Sequence, residues 1–130
     1  MNIELFCAAM LGLLLFGLGF AVSVERGKAN QLRGIPGDET TLLYRLIRAH
    51  GNAAEYVPLI AAFALYFAAT GGSPLISWVI VGLTIARFLH ATALIVRPNM
   101  NQFNMLRFVG GMGTYIGGFM LSILAISATI

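Results

Sequence analysis

A chain of 130 residues that is 58% hydrophobic and only 10% charged falls far below the ~25% charge of soluble domains, which excludes an ordinary water-soluble globule. Its net charge of +3 is sorted by loop instead of being spread as a basic surface, so nucleic acid is not required as a partner. The lone Cys7 closes no intrachain disulfide and reads as a small packing residue, while two histidines on different faces with no acid beside either exclude a metal centre.

Apolar segments cover approximately residues 3–24, 42–70, 75–96 and 105–130. Each reaches the ~20 residues that a helix uses to cross ~30 Å of hydrocarbon. None alternates with the period of a barrel strand, so the expected fold is all-α: one integral membrane four-helix bundle over residues 1–130. The first segment carries Arg26 and Lys28 after its apolar run and has no clear small-residue cleavage site, so it reads as a retained helix.

The loop that follows, from Glu25 to Thr41, is punctuated by Gly34, Pro36 and Gly37 as an ordered turn. Asp38 or Thr40 is positioned to cap the second helix. Arg26, Lys28 and Arg33 sit in this loop, and the third connection holds Arg97 and ends at Arg107, whereas Thr70-Gly-Gly-Ser-Pro74 and both chain ends lack Lys and Arg. The positive-inside rule then places the first and third loops in the cytoplasm and both termini outside.

The second segment exceeds the bilayer thickness, so its first turns stand in the interface. Arg45, Arg48, Asn52, Glu55 and Tyr56 fall within an arc of about 100° on this helix. Charges within a membrane helix are costly, about 2.5–3.5 kcal/mol each on insertion scales, and mark a protein interior or a wet cavity. His50 points away from the stripe and reads as packing, and Pro58 predicts a bend beside Glu55. On the third segment Arg87, His90, Leu94 and Arg97 repeat the spacing within about 80°.

If the two faces meet, they enclose a cationic pocket with one acid. Arg48 to Glu55 spans roughly 10 Å along the axis, the reach of an extended tripeptide. Such a pocket suits a small, multiply anionic ligand bearing one amine. The charges cluster toward one side instead of lining a midplane path, which argues against a transporter. On the fourth segment Gly113 and Gly117 form a GxxxG spacing that admits a close helix neighbour.

The string Arg48-Ala-His-Gly-Asn52-Ala-Ala-Glu55-Tyr56-Val-Pro58 resembles the signature of the MAPEG family, the membrane-associated proteins of eicosanoid and glutathione metabolism. The resemblance covers the whole chain in length, four-span layout and polar first loop, and is to a bacterial-type member, implying an inner-membrane location. It implies a homotrimer that binds glutathione between subunits. Arg48, Asn52, Glu55 and Tyr56 match the tripeptide-holding positions, with Arg26 and Arg87 as further family arginines. His90 and Leu94 stand where eicosanoid-forming members have tyrosines, and the family's thiol-activating arginine aligns nearest to Asn101.

Glutathione is then the co-substrate, and the implied activity is that of a transferase or peroxidase acting on a lipophilic electrophile. A glutathione thiol near pKa ~8.5 would ionise beside a cation. Arg97, one turn before Asn101, is the nearest candidate for that cation, and His90 is a further ligand contact in the stripe. The alternative is a non-catalytic protein of the same fold that binds a lipid or a protein partner.

Overall fold

The computed structural model describes residues 1–97 and 102–129. Its elements are α1 (Ile3–Lys28), α2 (Leu42–Thr70), α3 (Pro74–Val96) and α4 (Met105–Ser127), with no strand among the described residues. All four are long and apolar enough to cross a membrane. The expected all-α membrane bundle is the observed fold.

Caps explain where the helices start. Asn2 Oδ1 accepts from Leu5 N at 2.9 Å, and Asn2 Nδ2 donates to Ala68 O at 3.0 Å, so the start of α1 is tied to the end of α2. Glu4, in the first turn of α1 where the helix dipole favours an anion, accepts from the Ser77 hydroxyl of α3. α1 continues past Val24 to Lys28, with Arg26 and Lys28 in its last turn where cations suit the dipole.

The cap of α2 is Thr41, one residue beyond Thr40 and three beyond Asp38, the two expected caps. Its hydroxyl accepts from Tyr44 N at 3.3 Å and donates to Asp38 O at 2.9 Å. Asp38 instead builds the preceding turn, accepting from the Thr40 hydroxyl at 2.7 Å and Thr40 N at 2.9 Å. These bonds favour the ionised form and hold the Asp38 carboxyl below its usual value. A lowered carboxyl pKa stabilises the turn above the unfolded value, and that contribution is lost as pH falls through the folded one. Titration of Asp38 followed by NMR should show a pKa that rises in Thr40→Val; an unchanged value would remove this account of the turn.

α2 runs unbroken through Pro58 and ends at Gly71, whose φ of 83° favours a residue without Cβ. Pro74 follows at the first turn of α3, where its missing N–H is harmless. Asn104 caps α4 and also donates from Nδ2 to Ala93 O at 3.4 Å, binding the start of α4 to the end of α3.

α1 packs on α2 and α3, and α4 packs on α3 while touching α2 only lightly. Among the described residues α1 and α4 make no contact. At the α1–α2 seam His50 lies against Gly19, and Ala49, Ala53 and Ala64 of α2 are fully buried in the bundle. The α3–α4 seam is closer still. A Cβ on Gly110 would stand 2.6 Å from His90 N and 2.9 Å from Ala86 O, and one on Gly117 would stand 2.8 Å from Leu83 Cγ. Gly113 is less constrained, its Cβ falling 3.1 Å from that of Ala86. The tight approach is thus made by Gly110 and Gly117, not by the expected Gly113 and Gly117 pair alone. Because α4 approaches so closely, its Thr114, one turn after Gly110, is buried at α3.

Candidate functional site

The two polar stripes meet. At the end of the bundle that holds the first and third loops, α2, α3 and α4 enclose a cavity of about 320 Å³. Arg48 and Asn52 of α2, His90 and Leu94 of α3, and Arg107 of α4 line it, with Glu39 and Tyr44 from the loop and the first turn of α2. Its volume lies at the lower end of the roughly 300–1,000 Å³ usual for small-molecule sites. Tyr44 donates its hydroxyl to Glu39 at 3.1 Å, which holds the acid at the rim. His90 Nδ1 lies 3.1 Å from Arg107 O. A carbonyl only accepts, so Nδ1 carries the proton there and Nε2 of a neutral ring is left as an acceptor.

Behind this wall lies Arg87, 1% exposed. It donates from Nη2 to Asn52 Oδ1 at 2.7 Å and from Nη1 to the Thr114 hydroxyl at 3.3 Å. Its guanidinium carbon stands 5.2 Å from the centre of the Tyr56 ring. Among the described residues it has no ion-pair partner, so these dipoles and the ring face meet its charge. The Tyr56 hydroxyl lies 3.3 Å from that of Tyr115, the rings meeting edge to face.

Glu55 and Tyr56 face a second space of about 230 Å³ between α2 and α4, lined also by Leu59, Thr114, Tyr115 and Phe119. A third, again of about 230 Å³, shares His90 and Arg107 with the polar cavity and has Phe103, Phe108, Met112 and Tyr115 in its wall together with Asn104 and Gly111. The apolar groove of about 390 Å³ between α1 and α3 has Phe6, Met10, Ile85 and Phe88 in its wall and offers no charged group.

Of the residues expected at the site, Arg48, Asn52 and His90 line the polar cavity, and Glu55 and Tyr56 line the second space. Arg87 is brought to the site but sits behind it. Arg26 donates to Gln31 O at 3.3 Å and Gly34 O at 3.0 Å, organising the first loop. Arg45 reaches Ile95 O and so ties α2 to the end of α3. Arg97 is the exposed C-cap of α3 and does not line the polar cavity. Asn101 lies outside the described residues. Arg48 and Glu55 are both exposed and form no ion pair with each other.

Arg107, Tyr44, Glu39, Thr114 and Tyr115 were not singled out by the sequence. Thr114 and Tyr115 are embedded in the glycine run that reads as packing, although a polar pair in the middle of an apolar helix was the available signal. Arg107 reads as a loop charge until Asn104 is known to start α4 three residues before it.

No curated protein and no solved structure matches the chain significantly. One family model does, over residues 5–127, nearly the full length. With its four apolar helices and this match, the chain is an integral membrane protein that belongs to the MAPEG family.

Proposed function

We propose that the protein binds glutathione and transfers the intact glutathionyl group through its sulfur to a lipophilic electrophile, or uses two glutathione molecules, oxidised to their disulfide, to reduce a lipophilic peroxide. The observation that carries this reading is the position of Arg107. It stands in the wall of a polar, ligand-sized cavity and also in that of an adjoining cavity with aromatic and methionine walls. A thiolate held at Arg107 would face both the water-soluble donor's site and an approach for a lipophile.

Arg48 and Asn52 supply donors for the carboxylates and peptide carbonyls of a glutathione molecule, and Glu39 or Glu55 takes the amine. Arg26 contributes through the loop it organises. A neighbouring guanidinium favours the thiolate, the reactive form. In transfer, that sulfur forms the new C–S bond while the electron pair of the broken bond leaves on the acceptor's leaving group. Arg97 lies at the exposed end of α3, so thiolate stabilisation falls to Arg107 in this arrangement, with Arg97 as the competing cation.

Glu55 favours an oligomer, for which the family resemblance implies a homotrimer. It is exposed midway along α2, where a charge facing lipid costs about 2.5–3.5 kcal/mol. A neighbouring subunit over that face would remove it from hydrocarbon and complete the site. The loop charges orient the polar cavity toward the cytoplasm, consistent with an inner-membrane enzyme drawing on cytoplasmic glutathione.

The test is the ultraviolet thiolate absorbance of glutathione titrated into the detergent-solubilised protein at neutral pH. A saturable band is expected, lost in Arg107→Ala and Arg48→Ala and retained in Arg97→Ala. Loss in Arg97→Ala alone returns the role to that residue. Binding without a band makes the protein a non-catalytic member of the family that binds a lipid or protein partner, a reading to which Leu94 in the cavity wall lends support. Absence of binding overturns the glutathione assignment.

A further inference from the structure

Asn52 lines the polar cavity and Arg87 does not, yet the two share a 2.7 Å hydrogen bond. A guanidinium has only donors, so it engages the oxygen end of the Asn52 amide and cannot engage the nitrogen end. The amide orientation is therefore settled by chemistry: Oδ1 is taken from behind, and Nδ2 with its two hydrogens is what the side chain has left to offer the cavity. Among the described residues Nδ2 meets no acceptor.

Arg87 is itself clamped. Thr114 accepts from Nη1 and passes its own hydrogen to Gly110 O at 2.7 Å, so the Thr114 oxygen is fixed toward Arg87. The Tyr56 ring beside the guanidinium is steadied by its contact with Tyr115. At 1% exposure the guanidinium has no room to swing toward a ligand.

We propose that Arg87 is a positioning residue: acting through Asn52 from behind the cavity wall, it makes that point of the wall a donor that takes a carboxylate or carbonyl oxygen and refuses an amine. This rests on the glutathione reading and specifies it, since one of the tripeptide's oxygens is then assigned to Asn52. Without Arg87 the amide is free to turn, presenting an acceptor as readily as a donor.

The experiment is a double-mutant cycle with reduced glutathione on the full-length detergent-solubilised protein: native, Arg87→Met, Asn52→Ala and the double variant. Asn52→Ala is expected to lower affinity about tenfold. Arg87→Met should lower it comparably, and the double variant should be no weaker than Asn52→Ala. Effects that multiply overturn the proposal.

Asn52→Asp gives a second readout that needs no loss of the buried cation. A carboxylate there pairs with Arg87 and turns an acceptor to the cavity, so the melting temperature should hold or rise while affinity falls at least tenfold. Unchanged affinity overturns the proposal. If the native protein binds no glutathione, the glutathione reading fails separately. The same four proteins melted without ligand then test the link: coupled changes in melting temperature support it, and additive ones overturn it.

Discussion

Gly110→Ala should destabilise the protein more than alanine at any other glycine of α4. A methyl there meets backbone, 2.6 Å from His90 N and 2.9 Å from Ala86 O, and backbone cannot step aside as a side-chain tip can. Two helices must separate to admit it. Overpacking of this kind costs about 1–3 kcal/mol or more, against the roughly 1 kcal/mol that alanine gains over glycine within a helix, so the net sign is destabilising. Gly118 is the control, since a Cβ there meets nothing within 4 Å and Gly118→Ala should be neutral or slightly stabilising. Melting of both variants in detergent checks this. Equal melting temperatures would mean that the α3–α4 seam is looser than the structure has it. Because Gly110 O accepts from Thr114 and His90 lies against Gly110, the same change should also disturb the support of Arg87 and the cavity wall.

Arg48→Ala and Glu55→Gln should each weaken glutathione binding by about 10- to 100-fold, since a hydrogen bond to a charged group contributes about 1.5–3 kcal/mol. Both side chains are exposed on the α2 face that lines the two spaces, and neither is committed to an ion pair within the described residues. His50→Ala is the comparison. Its ring packs on Gly19 at the α1–α2 seam, away from either space, so affinity should change by no more than about twofold even where melting does. Calorimetric titration separates these outcomes, and equal losses in all three variants would sink the polar-stripe account of the site.

Much of the fold was legible because a bilayer permits so few solutions. Long apolar runs without period-2 alternation can only be helices, and their internal hydrogen bonding makes each nearly independent of its neighbours. Helix ends were less legible. Asp38, Thr40 and Thr41 are all competent caps, and the choice of Thr41 depends on Asp38 being engaged by Thr40 in the preceding turn. The polar stripes of α2 and α3 were readable from helical spacing, but not what each residue does there. Arg87 and His90 are one turn apart on the same face, yet the first is sealed behind Asn52 and the second stands in the cavity wall. That difference is set by how deeply α4 presses on α3, which in turn depends on glycines whose only contribution is the absence of a side chain.

By itself, the sequence determined a membrane-embedded four-helix chain, the polar faces of α2 and α3, and the likeness to the MAPEG signature, because these depend on hydropathy and on spacing along single helices. Only the tertiary structure decided that α4 completes the site, bringing Arg107 into the cavity and Thr114 and Tyr115 onto the Arg87–Tyr56 pair. It also placed Arg26 and Arg45 on backbone carbonyls and Arg97 at an exposed helix end. An arginine carries the same charge in every case. What distinguishes them is which acceptors and which neighbouring helix lie within reach, and that is a property of helices packed side by side, not of any one of them alone.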